Sequence, residues 1–137
     1  MATILIYSDD RTTREDVRLA LGSRIAHTTE PIGYREAATQ AAALAILDEG
    51  SIDLCVFDAE AVPSGGMGLT KQIREEYDPV PPVLLLVARQ ADSWLATWSG
   101  AAEIHPFPID PITLPEQIAT LWASCPVAST EVDVQAA

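Results

Sequence analysis

The sequence predicts a doubly wound α/β domain, with a single five-stranded parallel sheet sandwiched between two layers of helices. Three observations predict it. Short apolar runs alternate with longer amphipathic ones along the 137 residues. The run Val83-Leu-Leu-Leu-Val87 is apolar at every position, as a central parallel strand covered on both faces requires. Two of the runs end on acids, Ser8-Asp9-Asp10 and Asp58, and the carboxyl ends of parallel strands are where such sheets bind ligands. Alternation of this kind implies right-handed crossovers.

The elements follow in order. Ile4-Leu-Ile-Tyr7 is the first strand. From Arg11 to Leu21, Val17, Ala20 and Leu21 recur at helical spacing, and Gly22 can close that helix. Pro31 to Glu36 is a weak second strand with Ile32 and Tyr34 on one face. Ala37 to Glu49 is rich in Ala and Leu, strong helix formers, and stops at Gly50. Ile52 to Phe57 is the third strand, followed by Asp58. Leu69, Ile73 and Tyr77 stand four apart on a helix that must finish before Pro79.

After the fourth strand at 83–87, Ser93 to Ser99 is a short helix that Asp92 can cap, ending at Gly100. Ala101 to Ile104 is a short fifth strand, which leaves His105 in the loop beyond it. Thr113-Leu-Pro-Glu116 has the pattern of a capping box and opens a fifth helix through Trp122. Residues 1–124 thus form one domain, and residues 125–137, without periodicity, a flexible tail.

Composition narrows the function. The 20 Asp and Glu outnumber the 8 Lys and Arg, a net charge of −12 that repels phosphate backbones and argues against nucleic-acid binding. No apolar run approaches the roughly 20 residues that cross a bilayer, and the first residues lack the basic start of a secretory signal. Cys55 and Cys125 fit reduced thiols better than a staple, so the expected setting is the cytoplasm. Zinc is not expected, because no Cys or His pair has ligand spacing. Ser64-Gly-Gly-Met-Gly68 lacks the Lys-Ser/Thr of a phosphate loop. Ser8 has no histidine partner at interpretable spacing, so no hydrolase is proposed.

The acids carry the chemistry. If the first and third strands are neighbours, Asp9, Asp10 and Asp58 converge, and a hard divalent cation such as Mg²⁺ would cancel their repulsion. A carboxylate beside Mg²⁺ can attack phosphorus. The alternative is that these acids only cap helices and decorate loops; Asp10 is suited to cap the first helix.

Ile4 to Asp10, Asp53 to Asp58, Gly66-Met-Gly-Leu69, Pro82 to Leu86 and Pro106-Phe-Pro108 together resemble the receiver domain of two-component response regulators, over about residues 3–123. The resemblance implies a flavodoxin-like fold, with Asp58 accepting phosphate from a histidine kinase. Mg²⁺ would be held by Asp9, Asp10, Asp58 and the main-chain carbonyl of Glu60. It also implies action through protein–protein contact without an output domain, and pairing of two copies through the fourth and fifth helices. At most it implies slow self-phosphorylation and dephosphorylation at Asp58, not an enzyme acting on other substrates.

Three positions depart from the family. Val87 stands where receivers place Thr or Ser, Ile104 where they place an aromatic, and Phe107, before Pro108, where they place a lysine. Losing hydrogen bonds to a charged group at about 1.5–3 kcal/mol each weakens phosphoryl stabilisation by roughly two to four orders of magnitude. Arg89 can return some charge at the rim. A degenerate receiver that binds its partner without phosphorylation is therefore a second reading. A mononucleotide binder of flavodoxin type is a third, opposed by adjacent acids in its phosphate loop. Trp94 is expected in the core and Trp98 on the partner-facing surface.

Overall fold

A computed structural model of the chain describes residues 1–62, 65–88, 94 and 99–124. The strands are β1 (Ala2–Tyr7), β2 (Ile32–Ala37), β3 (Leu54–Asp58), β4 (Val83–Val87) and β5 (Glu103–Pro106). The helices are α1 (Arg11–Leu21), α2 (Gln40–Asp48), α3 (Gly66–Glu76) and α4 (Thr113–Ala123). All strands are parallel, in the order β2-β1-β3-β4-β5. The chain adds β2 on one side of β1 and β3 on the other, so a crevice opens at the carboxyl ends of β1 and β3.

Side chains alternate across the sheet, and each face builds its own core. Ile4 and Ile6 of β1 join Val56, Leu84 and Leu86 under α1 and α4, against Val17, Leu114, Ile118 and Trp122. Leu5 and Tyr7 join Cys55, Phe57, Leu85 and Val87 on the opposite face, against Ile46, Leu69 and Ile73. Every residue of β4 is buried, as its unbroken apolar run requires. Ile32 and Tyr34 both pack on the first core, the shared face expected of them. Cys55 is a buried free thiol; Cys125 lies outside the described residues.

Helix ends follow local chemistry. Asp10 caps α1, its side chain accepting from the Thr12 amide, and Gly22 at φ 72° ends it. The second helix begins later than expected. Thr39 caps it through the Ala42 amide, and Ala37 belongs to β2 instead. The last helix is capped differently from the expected box. Asp110, not Thr113, supplies the cap: its Oδ1 accepts from the amides of Ile112 at 2.8 Å and Thr113 at 3.2 Å. Those bonds hold the Asp110 carboxyl below its usual pKa, the Ile112 amide foremost. Glu116, freed from the box, meets His27 Nε2 at 2.6 Å.

The fifth strand also sits two residues later than expected. The Phe107 amide bonds to the Val87 carbonyl at 2.8 Å and draws Pro106 into the strand; as β5 is an edge, its missing N–H is tolerated. His105 is therefore a buried strand residue rather than a loop residue. Its Nε2 accepts from the Asp110 amide at 3.1 Å, so Nδ1 carries the proton and donates to Gln117 Oε1 at 2.8 Å. Gln117 in turn donates through Nε2 to the Ile104 carbonyl at 2.6 Å.

Most of the expected helix at 93–99, with Trp98 and Arg89, lies outside the described residues. Trp94 and Ser99 are helical, and Trp94 corrects the expectation of a core residue: it is 68% exposed. Ser99 is buried, and Trp94 belongs to neither core among the described residues.

Candidate functional site

The site lies at the carboxyl end of the sheet, between β1 and β3. Tyr7 pairs with Phe57 in the β1–β3 register, which sets Ser8 opposite Asp58. Asp58 ends β3 and is 4% exposed, and Ser8 is fully buried. A buried carboxylate needs partners, and Asp58 has two neutral ones. Ser8 Oγ donates to Oδ2 at 2.7 Å, and the Glu60 amide donates to Oδ1 at 2.8 Å. Asp58 takes part in none of the ion pairs among the described residues.

The other predicted acids are placed differently. Asp9 and Asp10 are exposed, and Asp10 directs both oxygens at α1, Oδ1 accepting from the Thr12 amide at 2.9 Å and Oδ2 from Thr13 Oγ1 at 3.3 Å. Asp10 is thus the helix cap that its position allowed. Among the described residues no three Asp, Glu, His or Cys side chains gather at metal-holding spacing. The donors at this end are nonetheless all oxygen, which is the set Mg²⁺ takes, and one or two carboxylates with waters suffice for it. Asp10 can join such a set only by leaving α1.

Tyr7 reports on this end. Its phenol is raised above its ordinary pKa by burial first, then by the charges of Asp9 and Asp58. Tyr34 is raised to about 12 by burial, against the pull of Arg18, and Tyr77 to about 12 chiefly by its hydrogen bond to Asp48. All three tyrosines are therefore shifted the same way. A phenol whose folded pKa exceeds its unfolded value near 10 favours the fold below that pH. That contribution fades as pH rises through the folded value. Native protein should show less tyrosinate absorbance at pH 10 than protein in denaturant, which titrates there. A native titration curve that coincides with the denatured one would contradict the assigned burial and bonding.

Reading motifs alone missed the part Ser8 plays and gave no reason for Gly66, which stands in the Gly66-Met-Gly-Leu69 motif. Ser8 was set aside for want of a histidine, but its signal is the strand register. Gly66 has a steric reason. A Cβ there would meet the Asp58 carbonyl oxygen at 2.9 Å and Phe57 Cβ at 2.9 Å, so a bare glycine lets α3 begin against the back of the Asp58 main chain. Gly66→Ala should cost about 1–3 kcal/mol by overpacking and disturb the Asp58 turn. Gly68, with nothing within 4 Å of a Cβ, is the control. Gly68→Ala should stabilise α3 by about 0.5–1 kcal/mol. Urea unfolding of the pair checks both signs.

The three positions that depart from the family are packed apolar residues. Val87 is buried in the second core, Ile104 packs on that core and Phe107 on the first, and the Phe107–Pro108 peptide is cis.

No family model matches the chain. Response regulatory proteins from two strains of Mycobacterium tuberculosis are each 44% identical over 118 residues, covering 86% of this chain and 89% of theirs. The chain is a response regulator. It is a receiver domain of two-component signalling, and solved receivers share its fold. A response regulator from Chloroflexus aurantiacus is 25% identical with a TM-score of 0.75, covering 89% of this chain and 98% of that one. TrrA of Thermotoga maritima, solved with Mg²⁺ and BeF, is 24% identical with a TM-score of 0.72, covering 88% of this chain and 99% of that one. Among the described residues of this receiver, no helix is long and apolar enough to cross a membrane.

Proposed function

We propose that this receiver takes a phosphoryl group on Asp58 from a histidine kinase and signals by protein–protein contact. The observation that carries it is Asp58 itself, a buried strand-end carboxylate free of ion pairs among the described residues and held by two neutral donors. One Asp58 oxygen attacks phosphorus as the bond from phosphorus to the donor breaks, and the leaving group departs with the bonding pair. Mg²⁺ bound by Asp58, Asp9, the Glu60 carbonyl and a released Asp10 would neutralise charge on the transferring oxygens. The kinase, the partner and the cytoplasmic setting belong to the same proposal, as does pairing of two copies through segment 93–99 and α4.

A second reading has its own observation. Val87, Ile104 and Phe107 leave the phosphoryl end without the hydroxyl, aromatic and ammonium a conventional switch would use. On that reading the chain is a partner-binding module that works unphosphorylated. One experiment separates the two. With Mg²⁺ and acetyl phosphate, intact mass should show one added phosphoryl group. No adduct, with a histidine kinase also supplied, would leave the second reading in place.

A further inference from the structure

We propose that Ser8 is a positioning residue for Asp58, its hydroxyl holding that carboxylate in the place a divalent cation would otherwise take. The inference rests on the reading of Asp58 as the phosphoacceptor, since orienting that oxygen matters only if it reacts.

Ser8 is fixed at every polar atom. Its amide donates to the Ala37 carbonyl at 3.1 Å, and its carbonyl accepts from Arg14 Nη1 at 2.6 Å. Arg14 is itself tied to Glu36 at 3.1 Å and is only 15% exposed. The Asp10 amide donates to Ser8 Oγ at 3.0 Å. With that lone pair occupied, the hydroxyl hydrogen is directed to Asp58 Oδ2, 2.7 Å away. The relay runs from main-chain amide to hydroxyl to carboxylate, and it fixes which Asp58 oxygen faces β1.

The charge of the partner decides the metal dependence. A hydroxyl satisfies Oδ2 and adds no charge, so Asp58 is oriented before any ion binds. Removing the hydroxyl leaves a buried oxygen without its donor, and Mg²⁺ becomes the remaining group able to satisfy it. A carboxylate in the same seat would set two like charges at contact, an arrangement that a cation relieves. Mg²⁺ affinity should therefore rank with residue 8 as Asp, then Ala, then Ser.

The test titrates Mg²⁺ alone, without phosphodonor, into the full chain by calorimetry, and follows the Glu60 amide by NMR. Ser8→Asp should bind at least about tenfold tighter than wild type, and Ser8→Ala about threefold tighter. In an Asp58→Asn background, Ser8→Ala should no longer change affinity. The Glu60 resonance should move in Ser8→Ala and return towards its wild-type position as Mg²⁺ is added, which a merely structural role would not produce. Affinity for Mg²⁺ unchanged in Ser8→Ala, or changed equally in both backgrounds, overturns the proposal, and this holds if Ser8→Asp does not fold. Failure here beside a normal phosphoryl adduct sinks Ser8 and leaves Asp58 standing. The ranked affinities without any adduct would sink the reading of Asp58 as phosphoacceptor and reduce Ser8 to a residue that sets metal affinity.

Discussion

Asp58→Asn will gain no phosphoryl group under conditions in which the wild-type chain gains one. The substitution keeps size and shape, and the side-chain oxygen can still accept from one of the two donors that hold the carboxylate. The fold should therefore survive while the nucleophile disappears. An amide neither attacks phosphorus at a useful rate nor carries the charge that a metal would meet. The expected loss is complete, to the background of nonspecific modification, because the other acids at this end are exposed and Asp10 is committed to α1. Intact mass and a peptide map read the result. An adduct that persists in the variant would move the acceptor elsewhere and remove Asp58 from the reading. The wild-type reaction should itself be slow, as Val87, Ile104 and Phe107 stand at the positions from which receivers help hold the phosphoryl group.

The largest stability effect should come from Phe57→Ala. Phe57 is fully buried, and its ring meets Tyr7 edge to face, centroids 6.0 Å apart at 89°. Deleting it removes apolar burial, an aromatic pair and filling of the second core together. The cost should be about 3–5 kcal/mol. Set against a total near 5–15 kcal/mol, this takes a large share of the folding free energy. The neighbouring Asp58 would also lose the rigid residue that precedes it. Urea unfolding should show a lower midpoint with an unchanged slope. A loss below about 1 kcal/mol would mean that the core closes around the vacancy.

What could be read from the sequence follows from which forces act locally. The run at 83–87 has no polar side, so its burial and central place are visible in the residues themselves. Gly22 marks the end of α1 because its positive φ is costly for other residues. The parts that stayed hidden depend on pairing between distant segments. Whether Ser8 or Asp9 stands beside Asp58 is a matter of one residue of register, and a slip of one exchanges the faces of a strand. The cap of α4 was misread for a related reason: Asp110 and Thr113 both suit a cap, and the path of the chain out of β5 decides between them. The expectation for Trp94 followed the general burial of large apolar residues, but its side chain lies exposed, outside both cores.

The His105 imidazole, bonded through both nitrogens, makes the end of the molecule one mechanical piece. Gln117 holds the ring and the main chain of β5 at once, so α4 cannot slide along its groove without dragging the sheet edge with it. A protein that grips the outer surface of that helix thereby has a handle on the strand beneath, and a tug at either end is felt at the other.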